Sequence, residues 1–193
     1  LSSSLSLLAF LDDALAGSRI EGKPVNALDG RRDGNAPIII AVGEPKYRKK
    51  IKERLTLIGA ELGNVISPLS SVSSTAFVGK GVTISPYASI QSKAIIGDNV
   101  DVNTASIIGH DVIVGESSVI SSQVNLGGSV VVGSGCYIGM GALVKEGVKL
   151  GAGSIIGMGS VVYKDIPDNM VALGSPARVI RKNETGMVFG GAA

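Results

Sequence analysis

His110 is the only histidine among 193 residues, and Asp111 follows it directly. Imidazole takes up and releases a proton near neutral pH, so a lone histidine is the first candidate for a general base. A neighbouring carboxylate can fix the ring's tautomer and raise its basicity where the backbone turns the two side chains together. By position alone, an ordinary surface histidine fits the same residues. Cys136 is the single cysteine, so the chain has no disulfide framework of its own and a reducing compartment suits it. One histidine also falls short of the roughly three ligands that a metal-dependent hydratase site would take.

The element that must position His110 is a repeat. An aliphatic residue recurs every six positions, without a miss, from Ile66 to Val162, seventeen in all. A period of six matches neither a helix nor the simple alternation of a half-buried strand. It matches a solenoid of short strands and tight corners, three hexads to a triangular coil, which gives a parallel β-helix of five to six coils. The aliphatic residues point into the prism. Two positions earlier stand small or β-branched residues such as Ala76, Val82, Ala88 and Val100, and Cys136 shares that inward register, which makes it a poor nucleophile. Glycine follows the aliphatic residue in nine hexads, from Gly79 to Gly157, and is expected there to ease the chain round a corner. His110, two residues after Ile108, falls at such a corner with its ring outward. Met140 and Met158 also follow glycines at corners and point outward, which marks a ligand groove or a packing surface between copies.

Both ends depart from the repeat. Leu7 to Leu11 and Ile38 to Val42 are short apolar runs that read as buried parallel strands. Between Glu44 and Gly63 a helix is expected, with Pro45 in its first turn and Tyr47, Ile51, Leu55, Ile58 and Leu62 as its apolar stripe. Lys46, Lys49, Lys50, Lys52 and Arg54 would face solvent. Residues 1–63 thus form a small α/β domain and residues 64–193 the β-helix, with a cap from about residue 165. In the cap, Gly174-Ser175-Pro176-Ala177 makes a turn, Val179 and Ile180 cover the end of the prism, and Met187 to Ala193 is a mobile tail.

Composition sets bounds on partners. A net charge of +2, from 18 Lys and Arg against 16 Asp and Glu, gives no electrostatic case for nucleic acid. No stretch reaches the roughly 20 apolar residues of a membrane-spanning helix. Leu1 to Leu11 lacks the basic start of a signal peptide and runs into Asp12 and Asp13, so a cytoplasmic protein is expected.

The unbroken hexads, the stretch Asn103-Thr104-Ala105-Ser106-Ile107-Ile108-Gly109-His110-Asp111 and the Gly174-Ser175-Pro176-Ala177 ending resemble the hexapeptide-repeat acyltransferases. Phe10-Leu11-Asp12-Asp13, and Ala41-Val42-Gly43 followed by Arg48, narrow the resemblance. They look like the branch of sialic acid O-acetyltransferases and nucleotide-amino-sugar N-acetyltransferases. The resemblance covers nearly the whole chain. It implies a mainly β fold, a left-handed parallel β-helix carrying a small Rossmann-like α/β domain, assembled as a homotrimer. It also implies acetyl-CoA as co-substrate in the cleft between neighbouring β-helices, no metal, and a sugar or sugar-nucleotide acceptor acetylated on an amino or hydroxyl group.

Residue by residue, the resemblance gives His110 the part of general base and Asp111 that of its acidic partner. Gly127-Gly128, one coil on, matches the segment whose N–H meets the oxyanion, although turn geometry alone also accounts for those glycines. Acetyl-CoA would lie near Met140 and Met158. Asp12, Asp13, Gly43 and Asn103 match acceptor-binding positions, Asp12 and Asp13 reading equally well as a strand-ending turn. Two departures stand out. Val119 occupies the place where many relatives carry a second histidine beside the acetyl-CoA site. The glycine-rich turn expected after the first strand of the small domain is absent from this sequence, which weakens the case for a nucleotide-linked acceptor. A non-catalytic β-helix trimer serving as a scaffold is the alternative from a different class.

Overall fold

The computed structural model describes residues 6–30 and 36–189. Seventeen two-residue strands, from Val65–Ile66 to Val161–Val162, wind into a prism with three faces of parallel strands. Successive strands of each face are eighteen residues apart, as in Asp101↔Val119, Ile107↔Asn125 and Ile113↔Val131. The first face carries Thr83, Asp101, Val119 and Tyr137 outward, the second Ser89, Ile107, Asn125 and Leu143, and the third Phe77, Ile95, Ile113 and Val131. The inward aliphatic residues from Ile84 to Val162 are buried, as are the small residues two positions earlier, Cys136 included. The first coil is looser: Val72 and Val78 are partly buried and Ile66 is 43% exposed, because no coil precedes them.

The corners use two positions for two different reasons. From Val78 to Ile156 the residue three after the inward aliphatic is left-handed, from Gly81 through Tyr87, Lys93, Asn99, Ala105 and Asp111 to Gly159, with φ between 57° and 70° at those named. This is the third residue of a type II turn, closed by bonds such as Ser106 N–H to Asn103 O at 3.3 Å. The glycine directly after the aliphatic, assigned from sequence to corner conformation, has no positive φ. It is needed because the next coil passes too close for a side chain. A Cβ on Gly115 would lie 2.5 Å from Ser134 N and 2.6 Å from Gly133 C.

The N-terminal unit differs from expectation in detail. Only Phe10–Leu11 of the first apolar run is strand, pairing in parallel with Lys23–Asn26, while Leu7 and Leu8 are exposed. Lys23–Asn26 also forms a hairpin with Arg19–Ile20 through Glu21-Gly22, both with positive φ, a turn the Glu-Gly pair could have announced. Residues 38–42 make a single bridge, Ile38 to Leu62, and no strand. Their carbonyls find another donor. Arg48, 1% exposed, donates through Nη1 to Ile40 O and Val42 O at 2.9 and 3.0 Å, and through Nε and Nη2 to Asn99 O and Oδ1 on the β-helix. Burial lowers the guanidinium pKa, and the nearby Asp101 carboxylate offsets only part of that.

The helix is Pro45–Leu57, ending at Gly59 (φ 65°) and well short of Gly63. Its stripe is narrower than expected, with Leu55 buried but Tyr47 and Ile58 exposed. Two of the basic residues expected to face solvent form ion pairs instead. Lys52 reaches Glu116 at 2.7 Å and Asp98 at 3.4 Å on the β-helix; burial opposes its charge, but Glu116 and Asp98 outweigh that and raise its pKa. Arg54 pairs with Asp29 and Asp13 within the N-terminal unit.

At the other end, Met170–Gly174 adds to the first face beside Ile155–Ile156 and turns at Gly174-Ser175-Pro176-Ala177 into an antiparallel strand, Ala177–Lys182. The expected cover by Val179 and Ile180 is not found: both are about half exposed, and Ile166, Ala172 and Met170 close the prism instead. Val179 pairs with Ala172 and shares its side of the hairpin, but its strand is the edge of the sheet, one strand farther out than the one that closes the prism. Nor is the C-terminal segment loose as far as Phe189, because Val188 and Phe189 both donate N–H to the Glu44 carboxylate. Residues 190–193 of the expected tail, and residues 1–5 of the leader-like run, lie outside the described residues.

Three stability outcomes come from this packing, all read by denaturant unfolding. Gly115→Ala, with backbone in the way, is expected to cost about 3 kcal/mol or more. Gly135→Ala, whose Cβ would meet open space but whose φ is +65°, is expected to cost only about 1–2 kcal/mol. Arg48→Lys, which leaves most of the carbonyls of Ile40, Val42 and Asn99 without a donor, is expected to cost about 3 kcal/mol.

Candidate active site

Adjacent side chains normally diverge, yet His110 Nδ1 and Asp111 Oδ2 are 2.8 Å apart. The left-handed backbone at Asp111, φ 58°, folds its carboxylate back to the ring. An ionised carboxylate only accepts, so Nδ1 carries the hydrogen and Nε2 keeps its lone pair. Nε2 has no hydrogen-bond partner among the described residues, and the pair is half exposed. The coils on either side hold the corner: Asp111 N–H donates to Ser92 O at 3.0 Å, and Ser129 N–H donates to His110 O at 2.8 Å.

Directly beneath the imidazole lies Gly128. A Cβ there would stand 2.5 Å from both Cε1 and Nε2 of His110, so the ring occupies the space a side chain would fill. Gly128 O accepts from Gly147 N–H, while its own N–H donates to no acceptor among the described residues. A base with a free lone pair and an unspent backbone donor therefore share one corner. That pairing suits acyl transfer, in which a proton leaves the nucleophile as an oxyanion forms.

The second face runs from this corner to the next, where Met140 and Met158 project, 51% and 76% exposed and one coil apart. Gly159 N–H to Met140 O, at 2.8 Å, ties those two coils. Asn103 stands on the same edge as the methionines and in the same coil as His110, donating to Asp101 Oδ2 and Ile120 O, both at 3.3 Å. Val119 is elsewhere. It sits on the first face between Asp101 and Tyr137, 2% exposed, and the protomer does not bring it to His110. Cys136 is buried, which pushes its thiol pKa up and leaves it unreactive.

A second feature opens where the N-terminal unit meets the first face. Ile40, Ala41 and Gly43 line a cavity of about 380 Å³ with Ser67, Thr83, Ser85 and Asp101. Asp101 accepts from Thr83 Oγ1 at 2.5 Å and from Asn103, so Gly43 and Asn103 converge here through Asp101. Asp101 and Thr83 were legible only as polar residues in an outward register. Asp12 and Asp13 do not reach the cavity. Asp12 Oδ1 caps the turn by accepting from Ala14 and Leu15 N–H, and Asp13 accepts from Leu28 N–H and from Arg54. The Arg54 guanidinium holds the Asp13 carboxyl below the usual carboxylate range. No helix among the described residues is long and apolar enough to cross a membrane.

Comparison with known proteins agrees with this architecture. The profile of the bacterial transferase hexapeptide (six repeats) matches residues 129–164. No curated protein sequence matches the chain significantly. Among solved structures, a histidine-to-asparagine variant of perosamine N-acetyltransferase from Caulobacter crescentus, in complex with CoA and GDP-perosamine, is 30% identical. It aligns over 90% of this chain and 85% of its own, with a TM-score of 0.85. The acetyltransferase domain of PglB from Neisseria gonorrhoeae, in complex with acetyl coenzyme A, is 33% identical over 89% of this chain and 85% of its own, with a TM-score of 0.82. WeeI from Acinetobacter baumannii is 28% identical over 89% and 85%, with a TM-score of 0.84. With about a third of its residues shared across nearly the whole fold, and the hexads unbroken, the chain belongs to the hexapeptide-repeat sugar acetyltransferases.

Proposed function

We propose that this protein moves the acetyl group of acetyl-CoA onto the amino group of a nucleotide-linked sugar, with His110 as general base. The observation that carries this is the corner at His110, where a tautomer set by Asp111 leaves Nε2 free above Gly128 and beside its unspent N–H. The acceptor nitrogen attacks the thioester carbonyl while Nε2 takes its proton. The carbonyl oxygen becomes an oxyanion that the Gly128 N–H meets, and collapse expels the CoA thiolate, to which the imidazolium returns the proton. No covalent enzyme intermediate is required.

In this reading acetyl-CoA lies across the second face, between His110 and the Met140–Met158 edge. The acceptor enters the cavity of Gly43 and Asp101, and Asn103 fixes the Asp101 carboxylate. The solved relatives that hold CoA, acetyl-CoA or GDP-perosamine support both ligand classes. The cavity lies on the first face and His110 on the opposite corner, so an acceptor held by one protomer meets His110 of another. In this reading the protein is a homotrimer of left-handed β-helices working in the cytoplasm, with residues 1–63 gripping the acceptor and residues 64–193 carrying the chemistry.

The test joins acetyl-CoA calorimetry to turnover on a panel of GDP- and UDP-linked amino sugars and free amino sugars. Wild type and His110→Ala are expected to bind acetyl-CoA equally, while kcat of the variant falls about 10²–10⁴-fold. Gly128→Ala, whose methyl would claim the imidazole's place, is expected to lose about 10²–10³-fold in kcat with little change in acetyl-CoA affinity. Wild-type turnover by His110→Ala would end the general-base assignment. Failure of the folded wild type to bind acetyl-CoA would end the enzyme reading.

A further inference from the structure

The first face is not bare beyond the cavity. Its outward residues Val119 and Ile155 are 2% and 8% exposed, whereas Ile107, Ile113 and Leu143, in the same register on the other faces, are 37–46% exposed. The chain's own C-terminal segment lies there. After Asn183, which donates to Gly153 O, residues 184–189 turn back toward the N-terminal unit. Thr185 O accepts from Lys46 Nζ at 2.8 Å. Val188 and Phe189 N–H converge on the Glu44 carboxylate at 3.0 and 3.1 Å, and the Phe189 ring meets Tyr137 edge-on with centroids 5.5 Å apart.

This contact lies next to the acceptor cavity at Glu44 and farther along the same face at Tyr137. Glu44 follows Gly43, which lines the cavity. Tyr137 stands two strands along the face from Asp101, with Val119 between them, a separation of about 10 Å. An acceptor that fills the cavity with its sugar would run its nucleotide arm toward Glu44 and Tyr137. What these two residues hold now is informative. Two adjacent N–H donors on one carboxylate, with a flat ring against a tyrosine, form the pattern that guanine presents through N1–H, its exocyclic amine and its ring. Uracil offers a single N–H between two carbonyl oxygens, which a carboxylate repels.

We propose that Glu44 and Tyr137 form a guanine-recognition subsite continuous with the acceptor cavity, and that residues 184–189 occupy it in cis until a guanine nucleotide displaces them. The proposal rests on the cavity being the acceptor site. The segment is suited to release: Phe189 is 55% exposed, and among the described residues the polar and ring contacts that hold it to the rest of the fold beyond Gly186 are those to Glu44 and Tyr137.

The experiment uses GDP and UDP as probes, with calorimetry and hydrogen exchange on the full chain, on a chain lacking residues 184–193, and on Phe189→Ala. GDP is expected to speed amide exchange at Val188 and Phe189 at least tenfold in the full chain. Removing the segment is expected to tighten GDP binding about tenfold, and Phe189→Ala a few-fold, with acetyl-CoA affinity unchanged in both. Adding Glu44→Gln to the shortened chain is expected to weaken GDP at least tenfold, and UDP is expected to bind more weakly than GDP throughout. Equal GDP affinity with and without the segment, protection of the segment at saturating GDP, or UDP binding as tight as GDP would each overturn the proposal. Displacement by GDP in a protein that transfers no acetyl group would uphold this subsite while ending the enzyme reading. Transfer to nucleotide-free sugars, unaffected by removal of the segment, would do the reverse.

Discussion

Every feature of this molecule depends on the hydrogen-bonded stacking of one coil on the next at a spacing of eighteen residues. The inward aliphatic residues meet their counterparts in adjacent coils because the backbone N–H and C=O groups pair at that interval. The same spacing sets what a corner can hold. At corners such as Gly109, Gly115 and Gly133, where the next coil's backbone passes within reach of a Cβ, only glycine fits, and where the turn needs a left-handed residue, asparagine, aspartate, serine or glycine mostly serves. His110 belongs to this geometry. Its carbonyl is bonded by Ser129, its partner's N–H by Ser92, and its ring fills the space Gly128 leaves.

The N-terminal unit is held to this prism by directed polar contacts. Its own core is small, built on Leu28, Ile40 and Leu55. Arg48 is its buried fastener, bonding the carbonyls of the 40–42 segment on one side and Asn99 on the other, and Lys52 adds two carboxylates of the β-helix. A buried guanidinium supplies five directed donors, so it fixes orientation where an apolar contact would allow sliding. The cavity of Gly43 and Asp101 lies on this seam, which is why its shape depends on both units.

Much of the architecture was legible in the residues. The hexad aliphatics from Ile84 to Val162, the inward register of Cys136, the outward methionines and the break at Asp165 are where the pattern puts them. The N-terminal unit was less so. Ile38 to Val42 has the composition of a buried strand, but its carbonyls bond a side chain distant in sequence, and no local rule announces that. Asp12 and Asp13 have the types of ligand-binding residues and are spent on a turn and on Arg54. The C-terminal segment, polar and glycine-containing, carries no sign that Glu44 receives its amides.

The sequence by itself determined the solenoid, the corner at which His110 stands and the side from which its ring projects, because a six-residue period is local and repeats its own evidence seventeen times. Only the tertiary structure decided that the Asp111 carboxylate returns to Nδ1, that Gly128 lies beneath the ring, that Val119 is covered on another face, and that Gly43 meets Asp101. The physical reason is distance along the chain. Those contacts join residues eighteen to some sixty positions apart, or depend on one left-handed turn, and their energies come from packing and hydrogen-bond geometry that exist only once the coils have stacked.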